Sequence, residues 1–426
     1  MTNRAPAPGA VAARTARAGL LVLTLVNMFN YLDRWVVSAL VESLKKSPLA
    51  LTDTQLGALM PGFLIVYMLT SPLFGSLGDR RNRPRVMAVG VAIWSVATAL
   101  GGFAWNFVSL FAARATVGIG EAAYGTISPA LLAAYFPKER RGRVFAVFFS
   151  AIPIGSALGY ILGGYIDTHL GWREAFFIAG APGLLLAILA WRLVDPPRGS
   201  QDEDLPAGHI AGPRPTLAAY RALVKNRPFF LTSLGYAAFT FAIGALAFWT
   251  PAFLERMRGL SHTAATQQFG AIVVVTGFLG TFAGGWLGDY FLKYTKQSYL
   301  MVSGVATLAA VPFTVMALVA TQPVFYFSAI VLAELLLFAS TGPINSASVN
   351  LVSPYERATA SAFMILAIHV LGDVPSPLLV GAISDHSDLG RAMLIVPVAV
   401  ALSGVIWLWA ARAWAAQEQA TAPAGS

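Results

Sequence analysis

The run Asn27-Met28-Phe29-Asn30-Tyr31-Leu32-Asp33-Arg34-Trp35 lies inside an apolar segment that extends from Gly19 to Leu40. Such a segment is long enough to cross a bilayer as a helix. Two adjacent charges therefore sit at a depth where lipid is expected. A charge near the bilayer centre costs about 3 kcal/mol on insertion scales, so residues of this kind face a protein interior or a water-filled cavity. At about 100° per residue, Asn27, Asn30, Tyr31 and Arg34 share one stripe with Asp33 at its edge, while Leu21, Leu25 and Leu32 lie largely elsewhere. Two readings follow: Asp33 and Arg34 neutralise each other between packed helices, or they line a site. Intramembrane ionisable residues favour the second.

Composition agrees with a membrane chain. The 426 residues are 57% hydrophobic and 12% charged, with mean hydropathy +0.66, too little polar surface for a soluble globule. There is no cysteine, hence no disulfide or thiolate chemistry. No Asn-x-Ser/Thr sequon occurs. The first residues are rich in Ala and Pro with Arg4, Arg14 and Arg17, and the apolar run after them exceeds a signal-peptide core, so residues 1–18 are expected to be a disordered basic tail.

Apolar runs bounded by charge, Pro or Gly predict twelve spans, at 19–41, 55–77, 85–104, 107–134, 143–166, 173–194, 229–254, 266–290, 298–319, 323–350, 358–383 and 391–413. Most of the 29 Lys and Arg fall in the two tails and the loops after even-numbered spans; Lys45, Lys46, Arg173, Arg256, Arg258 and Arg391 fall on the other side. The positive-inside rule then places both termini in the cytoplasm. The +9 net charge is a topology signal and gives little reason to invoke nucleic acid. Residues 195–228, with Pro196-Pro197 and the acidic Asp202-Glu203-Asp204, read as a cytoplasmic linker between bundles at 19–194 and 229–413, with a second tail at 414–426. Weak repetition supports that division: Gly75-Ser76-Leu77-Gly78-Asp79 recurs as Gly285-Trp286-Leu287-Gly288-Asp289, and Pro137-Lys138-Glu139-Arg140 as Pro354-Tyr355-Glu356-Arg357. Parallel repeats of this kind are the plan of a secondary transporter with its site at the repeat interface.

Other spans also carry polar stripes. In the fourth, Arg114, Gly118, Glu121, Gly125 and Ser128 fall on one face, with Arg114 and Glu121 about 10 Å apart along the axis. Glu121 has no obvious partner in its own helix unless Arg34 or Arg114 reaches it; an Arg114–Glu121 salt bridge is the competing structural reading. The fifth span has Gly155, Gly159 and Gly163 at every fourth position, a stripe for close helix packing. The tenth places Glu334, Phe338, Thr341, Asn345 and Ser348 on one face, and the eleventh sets His369 four residues before Asp373 and follows them with Pro375 and Pro377. The prolines should break or bend that helix. A lone buried His is often hydrogen-bonded core; with Asp373 one turn away it can instead form a titrating pair.

Gly75-x-Leu77-Gly78-Asp79-Arg80-Arg81-Asn82-Arg83-x-Arg85 resembles the loop motif of the major facilitator superfamily. Gly75 would allow close helix contact. The resemblance implies a cytoplasmic latch made by Gly75, Asp79, Arg80, Arg83 and Arg85, with Asp289 marking a weaker second copy that lacks the Arg cluster. Asn30-Tyr31-x-Asp33-Arg34, Gly120-Glu121-Ala122-x-Tyr124-x-x-Ile127-x-Pro129 and His369-x-x-Gly372-Asp373-x-x-x-Pro377 together resemble the spinster branch, over nearly the whole folded chain. Spinster-like proteins move lysophospholipids, sphingosine phosphate and similar amphipathic lipids in animals, and bacterial relatives are thought to be proton-coupled. The resemblance implies Asp33 and Glu121 as proton carriers, and Arg34 and Arg114 as their partners and as headgroup ligands.

The expectation is an all-α membrane protein of twelve transmembrane helices in two pseudo-symmetric six-helix bundles, the major facilitator fold. It would be a multi-pass, monomeric protein of the inner cell membrane, needing no cofactor and no metal. It would be a proton-coupled secondary transporter that moves an amphipathic, anionic lipid or drug-like molecule by alternating access, with that substrate, protons and the lipid bilayer as its partners. Proton coupling falls to Asp33, Glu121, His369 and Asp373; substrate contact falls to Asn27, Asn30, Tyr31, Arg34, Arg114, Tyr124, Glu334 and Asn345. One rival is a carrier of a hydrophilic organic anion or sugar phosphate on the same fold, and another is a receptor that binds without translocating. An enzyme is disfavoured: the chain has no His cluster at metal spacing, no Gly-x-Ser-x-Gly and no phosphate-binding loop.

Overall fold

The computed structural model describes residues 13–197, 217–352 and 357–421, almost all of them helical. In chain order the helices are α1 (Ala13–Ala39), α2 (Val41–Lys46), α3 (Asp53–Arg80), α4 (Arg83–Gly101), α5 (Phe107–Tyr135), α6 (Lys138–Leu170), α7 (Trp172–Trp191), α8 (Leu217–Lys225), α9 (Arg227–Arg258), α10 (His262–Phe291), α11 (Ser298–Val319), α12 (Pro323–Asn350), α13 (Arg357–Ile368), α14 (Pro375–His386), α15 (Leu389–Met393) and α16 (Ile395–Thr421). A π-helical turn, His369–Asp373, joins α13 to α14.

Among the described residues, eleven stretches are long and apolar enough to cross a membrane. The fourth expected span, α5, is not one of them. It carries Arg114 and Glu121 in mid-helix, yet it is helical from end to end. The expected limits 298–319 and 323–350 coincide with α11 and α12.

Elsewhere the helices outrun the expectation. Residues 13–18 and 414–421, read as tail, belong to α1 and α16, because nothing there interrupts the Ala-rich helical sequence. Inside the expected linker lies α8, which buries Leu223 against Phe229, Val352, Ala360 and Met364 and leaves Arg221 and Val224 exposed. A short amphipathic helix forms there because one face has a core to cover. Linker residues 198–216, tail residues 1–12 and 422–426, and Pro354, Tyr355 and Glu356 of the second repeat lie outside the described residues.

Contacts divide the described chain into two compact units, one of residues 13–51, 58–197 and 262–270, the other of residues 52–57, 217–261, 271–352 and 357–421. The heads of α3 and α10 are thus grouped apart from the rest of their helices. Within each unit the helix pairing repeats: α4 packs on α5 and α7, and α11 on α12 and α16; α1 packs on α6, and α9 on the α13 to α14 segment. This internal echo is the structural counterpart of the weak sequence repeat.

The glycine stripe of α6 packs as expected, against α1. A Cβ added at Gly155 would lie 2.2 Å from the Met28 carbonyl oxygen, at Gly159 2.6 Å from that of Leu32, and at Gly163 2.9 Å from a Val36 methyl. Gly75 does not follow suit: a Cβ there meets nothing within 4 Å, and the same holds for Gly285. The close contact expected of Gly75 is absent. Gly155→Ala should therefore destabilise the protein by about 1–3 kcal/mol through overpacking, and Gly75→Ala should leave it unchanged or slightly stabler. Thermal unfolding in detergent separates the two, and equal shifts would contradict this packing.

Candidate functional site

The polar stripe of α5 is positioned by a cap at the start of the helix and by close glycine contacts at its middle. Asn106 caps its start in a reciprocal capping box with Ser109. Gly118 lets the helix approach α3, where an added Cβ would stand 2.5 Å from the Phe63 carbonyl oxygen, and Gly120 sits against the Gly90 carbonyl of α4. This packing turns Arg114 and Glu121 toward the Asp33-Arg34 segment of α1.

The four charges then pair across helices. Arg34 Nη2 donates to Glu121 Oε2 at 2.8 Å, and Arg114 Nη1 lies 3.6 Å from Asp33 Oδ2. Neither Asp33 with Arg34 nor Arg114 with Glu121 forms a pair, which corrects those two readings; of the two arginines that could reach Glu121, it is Arg34 that does. Neighbours on a helix diverge by about 100°, and residues seven apart sit about 10 Å apart, so the short approaches lie between helices.

The cluster is buried and charge-balanced. The side chains of Asp33, Arg114 and Glu121 are 2%, 2% and 0% exposed, against 18% for Arg34. Aromatic faces cover the guanidiniums: Arg34 Cζ lies 4.9 Å from the ring centres of both Tyr31 and Phe63, and Arg114 Cζ 5.7 Å from that of Phe63. Hydrogen-bonding capacity remains unused at Arg34 Nε, Arg114 Nε and Nη1, Glu121 Oε1 and both Asp33 oxygens among the described residues. A half-satisfied buried network is the kind that rearranges when one charge changes.

Other expected contacts in this unit are already engaged. Asn27 donates to the Phe148 carbonyl at 2.9 Å and Tyr124 to that of Leu23 at 3.2 Å, both from buried positions. Asn30 is buried as well, whereas Tyr31 is half-buried.

In the other unit, His369 Nδ1 lies 2.9 and 3.1 Å from the Asp373 carboxylate oxygens. The pair sits in the π turn, where the Val374 N–H reaches the His369 carbonyl at 3.2 Å. Pro375 causes it: proline has no N–H and crowds the carbonyl four residues back, so the preceding turn widens. The bend expected from the prolines is thus a local change of helix type. Gly372 allows α9 close, its added Cβ falling 2.1 Å from Thr240 Oγ1. Asn345 is exposed and donates to Tyr236 Oη at 3.3 Å. Glu334 is 5% exposed and lines a small cavity of about 20 Å³ with Thr250 and Thr314.

Among the expected latch residues, Arg83 is tied down: its Nε and backbone N–H donate to Asp195 at 2.7 and 3.0 Å. Arg80 and Arg85 are exposed. Asp289 accepts from Tyr299 Oη at 2.7 Å, and the Asp79 side chain lies outside the described residues. Sequence reasoning missed one polar cluster entirely. Asp53 is held by both Arg256 Nη atoms at 2.6 and 2.9 Å and by Ser384 at 2.6 Å, and Asp385 accepts from the Asp53 and Thr54 amides at 2.8 Å each. Asp53 lies in the first turn of α3, where an acid looks like ordinary capping, and Asp385 lies in the last turn of α14; the distant partners of both are invisible in one sequence. No group of three metal-ligating side chains occurs among the described residues.

Residues 23–374 match the Major Facilitator Superfamily model. Protein spinster of Drosophila melanogaster is 35% identical over 375 residues, covering 85% of this chain and 61% of its own length. Protein spinster homolog 3 of Danio rerio is 34% identical over 401 residues, 89% of this chain and 79% of its own, and protein spinster homolog 1 of Homo sapiens 34% over 392, 87% and 74%. A bacterial homolog to the human lysosomal transporter Spinster, crystallised inward-facing and unoccupied, has a similar fold, with TM-score 0.86 at 24% identity over 95% of this chain and 99% of that one. A D-xylose-proton symporter gives 0.68 at 17% identity over 92% and 97%. Carrying buried charges on membrane-length helices, and matching transporters rather than enzymes in both sequence and fold, this chain belongs to the major facilitator superfamily and, within it, to the spinster family of membrane transporters.

Proposed function

We propose that the protein is a proton-coupled secondary transporter that moves an amphipathic anionic lipid by alternating access, as a monomer in the inner cell membrane with both termini cytoplasmic. The observation that carries this reading is the crossed pair of ion pairs. Two buried acids and two buried bases balance, and a single guanidinium, that of Arg34, retains accessible surface. Asp33 and Glu121 carry protons. Arg34 binds the anionic headgroup through its free N–H groups. Its aromatic neighbours Tyr31 and Phe63 suit an amphiphile better than a sugar phosphate, since they give the apolar part of the ligand a surface beside the charge. His369 and Asp373 supply a further titratable pair.

Proton flux in liposomes, read with an internal pH dye, tests the reading. Lysophospholipid should stimulate flux and sugar phosphate should not; the reverse would favour the hydrophilic-anion carrier. Asp33→Asn should abolish coupled flux, because it keeps shape while removing a titrating group; it also strands the buried Arg114 charge, so the unfolding midpoint should fall and flux is compared per folded protein. Arg34→Ala should weaken binding of anionic lipid by about tenfold or more while sparing a neutral analogue, the effect of losing charge-assisted hydrogen bonds. Equal losses for both ligands in a well-folded variant would make Arg34 structural.

A further inference from the structure

Away from the charged cluster, α4 and α7 of the first unit frame an open groove of about 520 Å³. Its floor is made of small side chains, Ala88, Ala92 and Ala187, and its rims of the exposed Val89, Leu184 and Ile188. In a bilayer, an apolar groove on the outside of a helix pair is filled by hydrocarbon. Any acyl chain satisfies that part.

One end of the groove is selective. Trp191 and Arg192 close it, and Arg85, one turn before Val89, lays its guanidinium 5.6 Å from the Trp191 ring centre. The acid at this end, Asp195, is taken by Arg83. Arg85 and Arg192 are exposed and have no carboxylate partner among the described residues. Two uncompensated arginines beside a Trp at the mouth of an apolar groove match a phosphate ester above a hydrocarbon chain. The positive-inside argument puts this end on the cytoplasmic face, whose leaflet carries the anionic lipids.

We propose that this groove is a binding site for one anionic phospholipid of the cytoplasmic leaflet, with an acyl chain over Ala88, Ala92 and Ala187 and the phosphate on Arg85 and Arg192. A zwitterionic headgroup would carry its own cation toward the same arginines and bind less well. The site is separate from the α1 and α5 charges, so its ligand is a resident lipid and not the transported molecule.

Native mass spectrometry of the purified full chain with equimolar phosphatidylglycerol and phosphatidylcholine tests this. Wild type should retain phosphatidylglycerol preferentially, by about fivefold for each arginine. The double variant Arg85→Gln/Arg192→Gln should lose the preference, Arg85→Lys/Arg192→Lys should keep most of it, and Ala92→Trp should lower retention of both lipids by filling the groove. Equal retention of the two lipids by wild type overturns the proposal without recourse to any variant. So does an unchanged preference in the glutamine variant, or displacement of the lipid by inorganic phosphate, which would mark a free-anion site.

Discussion

Glu121→Gln is expected to flatten the pH dependence of affinity for an anionic amphiphile. With Asp33 and Glu121 ionised, the cluster sums to zero against Arg34 and Arg114; one added proton leaves it net positive. An anion binds the protonated cluster more tightly, so in wild type affinity should rise as pH falls, by linkage, over a range of about 5- to 150-fold. The geometry adds a second cause with the same sign. Glu121 Oε2 occupies Arg34 Nη2, so protonating Glu121 frees the donor that the ligand needs. Asp33 and Glu121 form one coupled titration, and neither is assigned its own value. Calorimetry with lysophosphatidic acid across about pH 5 to 8 reads the slope. A flat wild-type profile, or a Glu121→Gln profile as steep as wild type, would make Glu121 a structural partner of Arg34 and move the proton site to His369 and Asp373.

Arg114→Ala carries the largest expected cost to folding. Its side chain is 2% exposed and faces an Asp33 carboxylate that is equally buried, so truncation leaves a charge in the interior without its counter-charge, a change worth about 3–5 kcal/mol. Asp33→Asn in the same chain should recover most of that loss, because both charges are then gone. The unfolding midpoint and the monodisperse yield in detergent report both effects. An Arg114→Ala protein as stable as wild type, or a double variant no better than the single one, would show that the 3.6 Å approach contributes nothing.

Much of this was readable from residue order. Apolar run length placed α11 and α12 to the residue, because charge or a helix breaker flanks each one. The packing role of Gly155, Gly159 and Gly163 followed from spacing alone. Pairing did not. The four cluster residues were each recognisable as misplaced charges, but which carboxylate meets which guanidinium depends on how α1 and α5 are rotated about their axes, and Gly118 and Gly120 set that rotation through contacts with Phe63 and Gly90. Gly75 shows the opposite error. Its motif suggested contact, and the fold gives it open space. The Arg256–Asp53 pair was hidden for a further reason: 203 residues separate its members, and a charge at a helix end looks like ordinary capping until the partner is known.

The contact between α1 and α6 also has a mechanical meaning. Close approaches at Gly155, Gly159 and Gly163 act like teeth: sliding one helix along the other by a residue would drive a side chain into backbone. The two helices therefore form one stiff bar, with Asp33 and Arg34 mounted on it. Arg114 and Glu121 are mounted on a second bar, α5 held to α3 through Gly118 and Gly62 and packed on α4, and α1 touches α5 far less than it touches α6. Under the proposed proton coupling, the two ion pairs would be removable pins between stiff parts, each bound proton withdrawing one.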